Sequence, residues 1–275
     1  MGQALPSFRN PPVIETVLSL QFQPLKGMSN AHLGLFWNRV RKDYPVLEDA
    51  PPIDPQFERF GADLPRAVFP PFRITMGHQV ARLQMSSSDQ HMMLQFQNGR
   101  LVFNWRRLTQ AEEYPRWTEL EPRFRNAVLE LRGFAESEKL GTVEPNQWEV
   151  VYVNHMVKGR EWMTPTDWRG LFPGVIGATD TVSCGKFESA GLQARFVLPG
   201  NAGRLHIELT HGFAGPEEGA EESLIVQLTA RGGIDESSDL WSGLANGHEA
   251  IVRTFAEITG ERVRREVWKQ EVAER

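Results

Sequence analysis

Apolar and polar positions alternate from Val13 to Phe22 (VIETVLSLQF). Val13, Glu15, Val17 and Ser19 fall on one side and Ile14, Thr16, Leu18 and Leu20 on the other, in a run rich in β-branched residues. This pattern predicts a strand. Beyond Gly27 the period lengthens: Leu33, Trp37, Val40 and Tyr44 recur at steps of four, three and four behind a Ser29-Asn30 cap, and Pro45 closes the run, which predicts an amphipathic helix. From Pro45 to Pro71 no period survives, and seven of the chain's 18 prolines fall there. Phe57, Phe60, Leu64, Val68 and Phe69 would be costly to leave in water, so this long loop is expected to lie against the body. Two strands follow, Arg73 to Met85 and His91 to Trp105, joined by the polar turn Ser86 to Asp89. Asn98-Gly99 splits the second into a hairpin. A helix then runs from about Tyr114 to Leu140, with Trp117, Leu120, Phe124, Val128, Leu131 and Phe134 as its stripe and Gly141 as its stop.

The order then repeats. Gln147 to Met156 reads as a strand, Thr166-Asp167-Trp168 as the cap of a short helical turn, and Val182 to Leu198, Arg204 to Phe213 and Ser223 to Arg231 as three further strands. Ser237-Ser238-Asp239 caps a long helix with the stripe Leu240, Leu244, Ile251, Phe255 and Ile258, which Gly260 ends before a tail reaching Trp268. The chain is therefore expected to be an α+β protein of two pseudo-repeats, 1–141 and 142–275, forming one compact unit. Each half reads strand, helix, three or four antiparallel strands, long helix. Alternation such as Leu205, Ile207, Leu209 against His206, Glu208, Thr210 implies sheets with one face under the helices and one polar face. Sheets joined edge to edge would make a saddle of the TATA-binding-protein kind. Sheets curled around their helices would make a helix-grip with a cavity.

Composition narrows the class without naming a chemistry. The 275 residues are 40% hydrophobic and 24% charged with a net charge of -5, which excludes a disordered or collagenous chain and gives no sign of a membrane protein. The single cysteine, Cys184, allows no internal disulfide and, with a start (MGQALPSFRNPP) unlike a signal peptide, leads to the expectation of a cytoplasmic protein. Residues 1–140 hold 17 Lys and Arg against 15 Asp and Glu, leaving 13 against 20 for the remainder, so the halves carry +2 and -7. Unlike surfaces suit head-to-tail association, although acidic loops such as Glu217-Glu218 would give the same sum. Overall acidity lowers the expectation of nucleic-acid binding.

Candidate chemistry is sparse. In Asn104-Trp105-Arg106 the amide and guanidinium share one face of a strand, where they could grip a carboxylate or phosphate; alternatively Arg106 pairs with Glu112 or Glu113 and Asn104 caps a turn. Asn154-His155 closes the first strand of the second half, and His155 is the best single general-base candidate, with no nucleophile nearby in sequence. Trp162 and Trp168 either form an exposed hot spot for a partner or plug the open end of the sheet. The seven histidines show no helical i, i+4 pair, and no phosphate loop occurs, so neither a metal nor a nucleotide cofactor is expected.

Several stretches carry a family resemblance: Asn10-Pro11-Pro12-Val13-Ile14-Glu15, Leu94 to Arg100 leading into Asn104-Trp105-Arg106, Tyr114-Pro115, Tyr152-Val153-Asn154-His155, and His248 with Phe255-x-x-Ile258-Thr259. Together they resemble a prokaryotic family of similar length, sporadically distributed and without an assigned activity. The resemblance spans nearly the whole chain and implies an outline with no catalytic residues; the patchy distribution implies a role in a mobile or defence-associated locus. The expected function is binding, through protein partners or self-association, within a larger system. The alternatives are a small-ligand binder or enzyme with a pocket near Asn104, Arg106 and His155, and a nucleic-acid saddle.

Overall fold

The computed structural model describes residues 4–60, 82–109, 112–175, 181–182, 185–214, 220–234 and 239–271. In chain order the elements are β1 (Ser7–Phe8), β2 (Val13–Phe22), α1 (Asn30–Val40), β3 (Val46–Ala50), β4 (Arg82–Ser86), β5 (Met92–Gln97), β6 (Arg100–Arg106), α2 (Trp117–Ser137) and β7 (Pro145–Val157). A single 3-10 turn then leads into α3 (Trp168–Leu171), followed by β8 (Thr181–Val182), β9 (Gly185–Lys186), β10 (Leu192–Val197), β11 (Arg204–Ala214), β12 (Glu221–Gly233), α4 (Leu240–Ile258) and β13 (Gln270–Glu271).

Nine strands form one open antiparallel sheet in the order β10-β11-β12-β7-β2-β6-β5-β4-β3. The two sheets expected from the sequence are thus joined into one by the β2–β7 pairing, in which Leu18 faces Val150 and Leu20 faces Trp148. The short strands β1 and β13 pair separately and tie the two ends of the described chain together.

The two-residue period of the strands sorts side chains by face. Leu18, Leu20, Leu101, Phe103, Val150 and Leu228 are buried on the side that α2 and α4 cover. Phe36 of α1 fits between Phe96 of β5 and Phe134 of α2, with ring centroids 4.4 and 5.5 Å away. Burial of each such ring contributes roughly 1.5–3 kcal/mol. In the second half, Trp148 of β7 fills a slot floored by glycine: a Cβ built on Gly247 of α4 would stand 2.6 Å from its ring, and one on Gly243 would also collide with it.

The opposite face is polar yet largely shielded. Residues 51–60 run across it, and three glutamine side chains bind the backbone of this strap. Ile53 N–H donates to Gln97 Oε1 (2.8 Å), Gln56 N–H to Gln21 Oε1 (3.0 Å) and Glu58 N–H to Gln147 Oε1 (3.1 Å). Glu58 also receives Arg204 and His206, the latter at 2.6 Å. Arg231 and Arg100 hold Glu149 at 2.8 and 2.6 Å, and Arg100 Nε reaches Ser19 Oγ at 3.1 Å. Buried charges need such partners. Burial works to raise the Glu58 carboxyl, but the His206 hydrogen bond and the His206, Arg204 and Arg231 charges prevail and hold it below the usual range.

Several expectations change. Residues 46–50 of the long loop are a strand at the sheet edge, paired with β4. The strap docks through polar atoms, while Phe57 stays 55% exposed; Leu64, Val68 and Phe69 lie outside the described residues. The first helix ends at Val40 and buries Leu33, Phe36 and Val40, so Phe36 replaces Trp37 at the centre of the stripe and Tyr44 lies beyond the end. Of Arg73 to Met85 only the part from Arg82 is described, as β4, and of Val182 to Leu198 the regular sheet strand is confined to β10. The helical turn before α3 has Thr164 as its N-cap, and Asp167 completes the capping box by accepting from the Met163 and Thr164 amides at 2.9 and 2.8 Å. Cys184 and Ser237-Ser238 lie outside the described residues. Among those described, no helix is long and apolar enough to cross a membrane.

Candidate functional site

The centre of the sheet, where β2 meets β7, is also where the start of α2 approaches the middle of α4. A cavity of about 350 Å³ opens between them. Val13, Tyr152 and Asn154 line it from the strands, Tyr114, Arg116 and Trp117 from the start of α2, and His248, Ile251, Val252 and Phe255 from α4. Residues 5–8 close one side, because the β1–β13 pairing holds Phe8 edge-on against both Phe255 and Trp268, each with centroids 6.0 Å away.

A line of hydrogen bonds crosses this apolar site. Tyr114 Oη donates to Tyr152 Oη at 2.9 Å, which leaves the Tyr152 proton for His248 Nδ1, 3.0 Å away. Burial pushes both phenols up, Tyr152 strongly, and burial pushes the His248 imidazole down to about 4. At neutral pH the imidazole is therefore uncharged; Nδ1 accepts from Tyr152, and the ring proton sits on Nε2. The ring stacks on Trp117 with centroids 4.3 Å apart and planes 7° apart, which fixes its orientation. Arg116 borders the same cavity, its Nη1 donating a long 3.4 Å hydrogen bond to Ser7 Oγ; Ser7 Oγ itself donates to Glu271 at 2.7 Å. Held this way, the tyrosines and histidine fix one another in place around an apolar space.

The residues singled out from the sequence divide between two faces. Asn154 lines the cavity and donates to Val226 O at 3.1 Å. Asn104 lies on the strap side, donating to Glu15 Oε1 and accepting from Gln95 Nε2, both at 2.7 Å. Arg106 shares that side, opposite Glu15 in register, and Glu112 instead accepts from the Leu108 and Thr109 amides. His155 is half-buried opposite Ile225, and burial lowers its pKa. Arg106 and His155 share the strap face but stand on β6 and β7 with β2 between them, and the cavity takes none of Asn104, Arg106 or His155. Trp162 and Trp168 are 2% and 0% exposed and pack edge-to-face at 5.3 Å, with Trp162 Nε1 donating to Met156 O at 2.8 Å. They close the end of the core, so the reading of an exposed aromatic patch is corrected: burying two indoles gains more than leaving them in water.

Sequence reading missed the Tyr114, Tyr152 and His248 line. The available signal was polar side chains at positions that periodicity assigns to the helix-covered face, Tyr152 on its strand and His248 four residues after Leu244. Among the described residues no group of three or more His, Cys, Asp or Glu side chains could hold a metal ion. No family model, no curated protein and no solved structure matches the chain.

Proposed function

We propose that this protein binds a small, largely apolar molecule between α2 and α4, and that retention of the molecule, rather than a covalent reaction, is its task. The observation that carries this reading is the preformed cavity with apolar walls and a few convergent polar groups, the usual form of a ligand site. It lies on the helix-covered side, away from the Asn104 and Arg106 region expected from the sequence. The test is ligand-induced thermal stabilisation of the full chain across a panel of apolar compounds, since a ligand of the native state alone raises the melting temperature. Val252→Trp fills the cavity from a partly exposed helix position and is expected to abolish the shift while the far-ultraviolet circular dichroism is retained. An undiminished shift in that variant would remove the reading.

The strand order supports a duplicated unit: β2-β6-β5-β4 and β7-β12-β11-β10 follow the same plan, each with a long helix after its last strand. On that reading the cavity lies where two copies meet, and the edge-to-edge alternative is the one retained. A nucleic-acid saddle is less favoured, because the strap crosses the polar face and Arg100, Arg204 and Arg231 are paired there with carboxylates. A second reading, self-association, is favoured by a separate observation. Strand β10 ends the sheet with no described strand beyond it, and Phe196 and Val197 on it are 51% and 56% exposed.

A further inference from the structure

The polarity of the cavity narrows the ligand. The Tyr114 proton goes to Tyr152 and the Tyr152 proton to His248 Nδ1, while Asn154 Nδ2 donates to Val226 O. His248 Nε2–H and the Arg116 guanidinium are donors that these internal bonds leave over; Arg116 Nη1 makes a long bond to Ser7 Oγ. Among the described residues no carboxylate lines the cavity, and Glu271 is separated from it by Ser7 Oγ. The positive end of the α2 macrodipole lies on the same side, since Arg116 is the N-cap of that 21-residue helix.

Resting on the pocket reading above, we infer that the ligand carries a carboxylate at one end of an apolar body, with the carboxylate received by Arg116 and His248 Nε2–H. An alcohol would accept the same hydrogen bonds without the charge, and an ammonium would meet Arg116 with no counter-charge in the lining. Charge-assisted hydrogen bonds are about twice as strong as neutral ones, which sets the order carboxylate, alcohol, amine. At the ~30 Å³ that a liquid water occupies, the volume holds roughly a dozen non-hydrogen atoms. A single aromatic ring with a short acidic side chain fits that size.

The experiment is titration calorimetry of the full chain with phenylpropionate, phenylpropanol and phenylpropylamine, which share one apolar body. The carboxylate is expected to bind about tenfold more tightly than the alcohol, with the amine weakest. Arg116→Met, which keeps an unbranched apolar stem, is expected to weaken both ligands but the carboxylate far more, because only the carboxylate also loses a charge pairing, so that its preference over the alcohol disappears. Equal binding of carboxylate and alcohol by the unaltered chain would overturn the inference and leave the pocket reading standing. Preference surviving in a folded Arg116→Met protein would overturn the assigned role of Arg116. If none of the three compounds binds the unaltered chain, both the inference and the pocket reading fall. The comparison among ligands on the unaltered chain decides the matter even where the variant does not fold.

Discussion

His248 is held by two constraints that act in different directions, a stack on Trp117 and a hydrogen bond from Tyr152, and its burial favours the neutral form. Glu249 is the nearby charge that opposes the shift, and burial overrides it. The sign of the pH effect follows. A histidine whose native pKa is near 4 against an ordinary 6.5 refuses a proton that the unfolded chain accepts, so stability falls as pH drops through that window and is flat above it. Between pH 7 and 5 the loss from this one group is on the order of 2 kcal/mol. Glu58 adds nothing in that range: its pKa is lowered, so its contribution is lost only below the ordinary carboxyl range near 4.5. Urea unfolding at the two pH values should show the loss in the unaltered chain and a smaller one in His248→Phe, which keeps a ring to stack on Trp117. An equal loss in both would mean that His248 is not buried neutral.

The reach of His248 to Tyr152 depends on how closely α4 approaches β7 and β12, and Trp148 sets that approach. Gly243 and Gly247 present one face of the helix to the indole, and the Cβ of Gly247→Ala would lie 2.6 Å from the ring and 3.3 Å from the Ala230 methyl. Alanine gains about 1 kcal/mol of helix propensity over glycine, but overpacking a full core costs 1–3 kcal/mol. The net expectation is a loss of about 1 kcal/mol in chemical denaturation, together with weaker ligand binding as α4 moves outward and carries His248 away. A more stable Gly247→Ala protein would show that the slot has room. On the other face, the strap is held by glutamine side chains in place of neighbouring strand backbone, so its attachment depends on Gln97, Gln21 and Gln147 standing in one register row across β5, β6, β2 and β7, with Arg100 between the first two.

At the scale of the molecule, the sheet ends at β3 and β10 with no described strand beyond either, and such edges must be managed. One edge strand, β3, is short and carries Glu48 and Asp49 on its exposed middle, which discourages pairing. The other, β10, carries exposed Phe196 and Val197 directly after Arg195. If copies associate, they should do so through β10, and Phe196→Lys should convert the assembly to monomers in sedimentation equilibrium without lowering the melting temperature. An assembly unmoved by that change would place the contact elsewhere.

The fold class was legible in the chain because periodicity is local: the alternation of β2 and β11 and the stripes of α2 and α4 each follow from neighbours a few residues apart. Strand β3 was not, since Val46 to Ala50 sits among prolines and is a strand only because β4 offers it a ladder. Nor was the site. Tyr114, Tyr152 and His248 lie 38 and 96 residues apart, and although periodicity puts Tyr152 and His248 on the covered face, it does not say which polar groups they meet there. Face and period were determined by the sequence itself. Which strand lies beside which, whether Asn104 and His155 meet, and what the strap covers were decided only by tertiary pairing, because those energies belong to contacts between distant segments.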